Sequence, residues 1–398
     1  MSRGISIGLL FSTTGPYSVL SRAMQNGAFL AVDEVNRNAT YDFHFEPEIV
    51  DPAATLENYR LACEEMLRNK NIQHVIGCYT SSSRKEVIPC FEKHDAMLWY
   101  PSHYEGFESS NNVIYTGAAP NHHIVPLARF MMKNYGNRAY CVGSNYIWAW
   151  ENNRVLREIL EANGGEIVSE KYLAVGSGDV EYLIEDIRKN KPDFIYCALI
   201  GESKYAFIDA VQKLREKDPA FGPDQMPISD CSLSEPELFC IGPEASRGLI
   251  SSSVYFQSIH SEQNNRFIAD YKAHFGQRAV ASADSEAVYI AVLILAKAIH
   301  KVGTDSAYDV REATLGSSIA APQGQVVVDE DNAHCYLTPR LGRGRDDQNF
   351  DILFESEKPV KPDPYLVWFD SRHPDADRSD ENSRPALRRP ENRLRVVK

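Results

Sequence analysis

The sequence predicts an α/β protein built as two doubly wound parallel-sheet lobes with an interlobe cleft. Apolar runs of strand length alternate with amphipathic segments at intervals of roughly 30 residues, the length of a strand-helix-strand unit. The alternation restarts after APNHH at 119–123, as if a second sheet began there. A chain of 398 residues also exceeds what one compact core usually holds. Parallel sheets are covered by helices on both faces, so ligands bind at the carboxyl ends of their strands.

The elements follow in order. GISIGLLF at 4–11 is a continuous apolar strand, and Met24, Ala28, Ala31, Val32 and Val35 then recur at helical spacing. Phe43, Phe45 and Ile49 alternate as a strand, and Leu56, Tyr59, Cys63, Met66 and Leu67 line one face of a helix. HVIGCY at 74–79 is the next strand, with a helix starting near Ser82 or Ser83. In the second lobe, helix-patterned segments at 124–136, 154–165, 182–190 and 204–217 alternate with strands at 138–144, 166–173 and 193–200 and one before SDCSLSE. SSSVYF at 251–256 reads as a crossing strand, and the helices at 264–275 and 285–303 return to the first lobe. Strands after APQGQVVVD have antiparallel character. The expected division is 1–119 with 255–325, and 120–254 with 326–369. Residues 370–398 are expected to form a disordered tail, whose basic end carries Arg384, Arg388, Arg389, Arg393, Arg395 and Lys398.

Composition narrows the function. Fifty-five acids against 42 bases give a net charge of −13, which repels nucleic acid and anionic membranes. MSRGISIGLLF meets polar STTGPY without a leader-type apolar region, and no stretch approaches the roughly 20 apolar residues of a membrane span, so a soluble, cytoplasmic protein is expected. The eight cysteines lack a C-x-x-C pair and read as reduced, small apolar residues.

Enzyme signatures are missing: there is no H-E-x-x-H, G-x-S-x-G, P-loop or G-x-G-x-x-G. His122 and His123 are adjacent on a helix and point different ways, a poor chelate, so a solvated helix start is expected there. Cys78 is a conceivable amidase nucleophile beside Lys85 and Glu86; the simpler reading packs it into the sheet and leaves Lys85 in solvent. No cofactor and no catalysis are expected.

Three predicted strand ends carry hydroxyls and aromatic rings: GCYTSSSR at 77–84, LWYPSHYEGFE at 98–108 and GSNYIWAWEN at 143–152. A small neutral amide or urea presents a planar C=O acceptor and N–H donors, and it calls for hydroxyls and aromatic walls without unpaired charge. Each such residue also has an ordinary role as a helix cap or an edge-packing ring.

These segments, with NVIYTGAAPNHH, APQGQVVVD and KPDPYLVW, resemble the amide-binding negative regulators of bacterial amidase operons and the related urea-binding proteins of ABC transporters. The resemblance spans about Gly4 to Val367. It implies the type I periplasmic-binding-protein fold, non-catalytic binding of a short amide or urea, and a partner such as an RNA-binding antiterminator, with a homo-oligomeric assembly. It places Tyr79, Ser81, Tyr100, Ser102 and Tyr146 against the ligand, with Ser81 and Ser102 hydrogen-bonded to it. His103 and Trp148 stand where the regulators have proline and tyrosine, and Ser102 stands for threonine. Ala149 and Trp150 replace a Pro-Arg pair. GES at 201–203 and YFQS at 255–258 are similar to the urea-binding branch, with Glu202 as an N–H acceptor. The alternative function is the substrate-binding component of a urea or short-chain amide ABC transporter.

Overall fold

Strand β1 (Arg3–Leu10) buries Ile5, Ile7, Leu9 and Leu10 on both of its faces, as a central parallel strand must. In this computed structural model, which describes residues 2–372, it pairs in parallel with β2 (Phe43–Val50) on one side and β3 (His74–Gly77) on the other. β4 (Met97–Tyr100) and β5 (Val113–Tyr115) complete a five-stranded sheet of order β2-β1-β3-β4-β5. Helices α1 (Ser18–Arg37), α2 (Leu56–Glu64) and α3 (Ser81–Lys93) connect these strands.

The second lobe begins with α4 (Pro120–Asn134). Its sheet takes β6 (Arg138–Ser144), β7 (Glu166–Leu173), β8 (Phe194–Ala198), β9 (Ile228–Asp230) and β10 (Ile250–Ser253), interleaved with α5 (Ile147–Ala162), α6 (Glu181–Asn190), α7 (Glu202–Lys217), α8 (Glu235–Ile241) and α9 (Pro243–Ser246). The chain then crosses back. α10 (Glu262–Phe275), α11 (Ala283–Val302) and α12 (Ala307–Thr314) cover the first sheet, and β11 (Ser318–Ala321), β12 (Gly324–Val328) and β13 (Cys335–Tyr336) form a small antiparallel sheet. β14 (Arg340–Gly344) and β15 (Phe350–Glu355) extend the second sheet in antiparallel fashion, giving the order β15-β14-β10-β9-β8-β6-β7. The two-lobed α/β reading therefore holds.

The 326–369 portion is distributed differently from the sequence reading. Val326, Val328, Cys335 and Leu337 are buried in the core that contains β1 and α11, and Tyr115 bridges to His334, so the third crossing falls between Leu337 and Arg340. The VVV run is short and continuously apolar, which fits either sheet, and periodicity cannot say which one it joins. The tail expected at 370–398 lies outside the described residues from 373 onward.

α11 is buried nearly all round and is the keel of the first lobe. Ser282 caps its start by accepting from the amide of Ser285, and Gly303 ends it in the left-handed region at φ 72°. α1 lies so close to it that a β-carbon at Gly27 would stand 2.1 Å from the Ser285 carbonyl oxygen. Among the described residues, no single helix is long and apolar enough to cross a membrane.

The crossings are tied together. The Thr116 hydroxyl donates to Ala287 O at 3.0 Å, and the Ser252 hydroxyl donates to His123 O at 2.8 Å. Arg340, 3% exposed, donates to the carbonyls of Val254, Thr338 and Gln323 and pairs with Glu355 at 2.9 Å. One guanidinium thus holds the second and third crossings together.

Candidate ligand-binding cleft

All three hydroxyl-rich segments lie at carboxyl strand ends, where the lobes meet. After β3 the chain turns through Cys78 at φ 66°. Thr80 then caps α3, its hydroxyl oxygen accepting from Ser83 N at 3.1 Å. The expected cap at Ser82 or Ser83 is corrected accordingly: the helix starts at Ser81, and the Ser83 hydroxyl donates back to Thr80 O. Cys78 is fully buried and burial pushes its thiol up to about 12, which suits a core residue rather than a nucleophile. The cysteines are free, and Cys240 is exposed while the other seven are buried.

Tyr79 is buried against Tyr17, with ring centroids 5.3 Å apart, and meets His103 edge-on at 6.2 Å. His103 in turn packs edge-on to Trp148, with centroids 4.7 Å apart, and Trp148 lies 5.3 Å from His123. Tyr79 and His103 come from the first lobe and Trp148 from the second, so these rings form one wall across the cleft. Tyr146 packs against the cores of both lobes. Asp284 on α11 reaches the second lobe, where the Ser234 hydroxyl donates to it at 3.4 Å.

Other expected site residues are placed elsewhere or already partnered. Tyr100 sits behind the cleft in the first-lobe core, and its hydroxyl donates to Tyr79 O at 2.9 Å. The Ser81 hydroxyl donates to the buried carboxyl of Glu105. Glu202 is exposed on the first turn of α7. Ser102 is buried, and its hydroxyl has no hydrogen-bond partner. Its position depends on Gly117, where a β-carbon would come 2.0 Å from the Ser102 carbonyl oxygen.

His122 and His123 are fully buried, which corrects the solvated helix start. His122 Nδ1 accepts from Ala119 N at 3.1 Å and its Nε2 contacts Val360 O at 3.0 Å; His123 Nε2 contacts Tyr104 O at 3.0 Å. Both serve the first crossing, and no group of three or more metal-donor side chains occurs among the described residues. Pattern reading missed them because a polar pair at a helix start resembles a solvated face.

Sequence reading also missed the charges. Arg84, placed on a helical first turn, is fully buried between the rings of Tyr100 and Tyr104 and pairs with Glu105 at 3.0 Å and Glu108 at 2.6 Å. Lys85 joins Glu108 at 2.6 Å instead of standing free in solvent. On the second lobe Lys204 is fully buried, 2.9 Å from Asp230 and 3.3 Å from Glu237. The one available signal was helical: Lys204 follows Glu202 by two residues, so it points to another side of α7.

Unpartnered polar atoms remain along the cleft wall: Ser102 Oγ, Trp148 Nε1 and His123 Nδ1. A cavity of about 20 Å³, lined by Pro101, His103, His123, Cys231, Ser253 and Asp284 among others, lies beside them. That is room for about one water-sized group, so the cleft is closed here.

Burial favours the uncharged form of the groups around the cleft. It lowers His103 and His123 to about 3, with Lys204 adding to the effect at His103, and it lowers His122 to about 4. Burial likewise raises Glu235 to about 8, and Glu237 and Asp284 to about 7, Lys204 opposing it at the latter two. In the folded state the carboxyls hold protons more tightly than in the unfolded chain, so their contribution to stability declines from about pH 4.5 upward. The histidines bind protons less tightly when folded, so theirs grows with pH up to about 6.5. Between those limits the two effects oppose one another, and above about pH 6.5 only the carboxyl loss is left, so the melting temperature should fall from about pH 6.5 toward pH 8. A steady rise through that interval in a thermal unfolding series would contradict this.

Comparison with known proteins agrees with this architecture. A solute-binding protein of an ABC transporter from Rhodopseudomonas palustris HaA2, solved with p-hydroxybenzoic acid, superposes with a TM-score of 0.82 at 19% identity, covering 92% of this chain and 99% of that one. The branched-chain amino acid binding protein LivJ from Streptococcus pneumoniae, solved with isoleucine, gives 0.76 at 17% identity, covering 90% and 100%. Among curated proteins, the leucine-, isoleucine-, valine-, threonine- and alanine-binding protein of Pseudomonas aeruginosa is 21% identical over 345 residues, 82% of this chain and 86% of that protein. A protein named limonene hydroxylase from Geobacillus stearothermophilus is 26% identical over 127 residues, which span 32% of this chain and 23% of that protein. The periplasmic binding protein domain model matches residues 5–371. With both lobes and the cleft between them inside that match, the chain belongs to the periplasmic binding protein family.

Proposed function

We propose that the chain is a non-catalytic cytoplasmic sensor that binds a short aliphatic amide or a urea-like solute in the cleft and signals through a protein partner, with an RNA-binding antiterminator as the partner class. One observation carries the ligand class. The cleft's unpartnered polar atoms are a hydroxyl, an indole N–H and the nitrogen of a neutral imidazole, while Lys204 is paired with Asp230 and Glu237. Such a wall suits a neutral molecule with both donors and an acceptor, and burial favours the uncharged form of Asp284, the one acid that lines the cavity.

Size sets the expected affinity. Acetamide has four non-hydrogen atoms, and a ceiling of about 1.5 kcal/mol per atom limits binding to about −6 kcal/mol, a Kd of tens of micromolar at best. Calorimetry with acetamide, butyramide, formamide and urea, alongside leucine and 4-hydroxybenzoate, tests this. Heat from at least one amide or urea and none from the other two is expected. Binding of leucine or 4-hydroxybenzoate alone would overturn the ligand class.

The second reading is the solute-binding component of an ABC transporter, favoured by the likeness to the Rhodopseudomonas palustris solute-binding protein. Immunoblots of periplasmic and cytoplasmic fractions separate the two, because periplasmic protein is incompatible with a cytoplasmic sensor. Regulation further requires the partner to bind the open and closed forms with different affinity.

A further inference from the structure

The buried ammonium of Lys204 lies in a nest of two carboxyls and a hydroxyl. It donates to the Ser232 hydroxyl oxygen at 2.9 Å and to Glu237 Oε2 at 3.4 Å, it forms an ion pair with Asp230 Oδ2 at 2.9 Å, and the side chain is 0% exposed. The site is preorganised. Ser232 donates to Asp230 Oδ1 at 2.8 Å, which turns its lone pairs to the lysine, and Ser234 N donates to Glu237 Oε2 at 3.1 Å. Cys231, between Asp230 and Ser232 in sequence, lines the cleft cavity, as does Asp284 from the opposite lobe. The acidic nest therefore stands directly behind the wall that meets a ligand.

We propose that Lys204 is a specificity-determining residue: it fills the nest as the protein's own cation and so excludes ligands that carry a free ammonium group. An incoming ammonium would meet one acid on the cavity wall, Asp284, which already lies in the field of Lys204, and it would face the lysine's charge at short range in a desolvated cleft. Like charges brought together at a buried interface cost several kcal/mol, equivalent to about a hundredfold or more in affinity. His103, the titratable ring across the cleft, is held neutral and offers no compensating charge. Removal of the lysine leaves a cation site with nothing in it.

The test uses the full chain as wild type, Lys204→Ala and Lys204→Arg. n-Propylammonium reproduces what Lys204→Ala deletes, and sodium chloride and n-propanol serve as controls. The melting temperature of Lys204→Ala should rise by about 2 °C or more with n-propylammonium over both controls, the shift expected for filling a weak native-state site. Wild type and Lys204→Arg should show no such difference. If Lys204→Ala does not fold unaided, refolding yield in n-propylammonium against sodium chloride reads the same effect. Equal responses of all three proteins, or of all three solutes, would overturn the assignment.

A second arm rests on the amide reading and compares acetamide with glycinamide, which is acetamide bearing an ammonium group. Wild type should prefer acetamide by about a hundredfold or more, and Lys204→Ala should lose that preference. Wild type binding both equally would refute exclusion. Should wild type bind no amide, the ligand class fails, and the n-propylammonium comparison alone decides the role of Lys204.

Discussion

Replacing Arg84 by methionine is expected to lower the unfolding free energy by about 3–5 kcal/mol, the cost of stripping one partner from a buried ion pair. The guanidinium lies between the rings of Tyr100 and Tyr104, 4.6 and 4.7 Å from their centroids, and it pairs with two carboxyls. Methionine replaces its volume and none of its charge. Lys85 remains 2.6 Å from Glu108 but 3.9 Å from Glu105, so Glu105 is the group left without adequate compensation. The double variant Arg84→Met/Glu105→Gln should recover part of the loss, because removing both charges leaves no lone ion in the core. Urea unfolding of the three proteins supplies the numbers, and a single-variant loss below about 1 kcal/mol would mean that Glu105 has another route to neutrality. Ligand affinity should fall with stability, since Glu105 also accepts the Ser81 hydroxyl at the cleft edge.

Gly201→Ala is expected to weaken ligand binding at least tenfold, with a smaller effect on the free protein. Gly201 has φ 57° and ψ −136°, a conformation that glycine adopts freely, and a β-carbon there would lie 1.8 Å from the carbonyl oxygen of Pro16 on the opposite lobe. The backbone strain, about 1–3 kcal/mol, is present in both open and closed forms. The collision with Pro16 exists only when the lobes meet. A penalty confined to the closed form shifts the equilibrium away from it and reduces apparent affinity by the same factor. Titration of the best-bound solute, paired with small-angle scattering of free and saturated protein, separates the two effects. An unchanged affinity with a lowered melting temperature would show that Pro16 and Gly201 stay in contact when the lobes part.

The two sheets were legible because period and length suffice for them. GISIGLLF, DFIYCALI and their intervening amphipathic segments leave few other arrangements, and carboxyl strand ends then locate the cleft. Legibility stopped at side-chain direction. Tyr79 and Ser81 are two residues apart, yet one joins the aromatic wall while the other is bonded to Glu105, because the chain turns into a helix between them. Tyr100, the last residue of its strand, faces the core; Ser102, two residues on and past the strand end, carries an unpartnered hydroxyl. Buried charge was illegible for a different reason. Arg84 and Lys204 sit on helices whose other residues are ordinary, and the acids that neutralise them come from segments 21 to 33 positions away, a distance no local pattern reaches.

Arg340 has a consequence for how the molecule moves. Its guanidinium grips the carbonyls of Val254 and Thr338, so two of the three interlobe strands cannot slide past one another without breaking charge-assisted bonds. Sliding is thereby disfavoured, and what remains is swivelling about a single axis through the crossings. A joint with one axis confines the opening and shutting of the cleft to a single path.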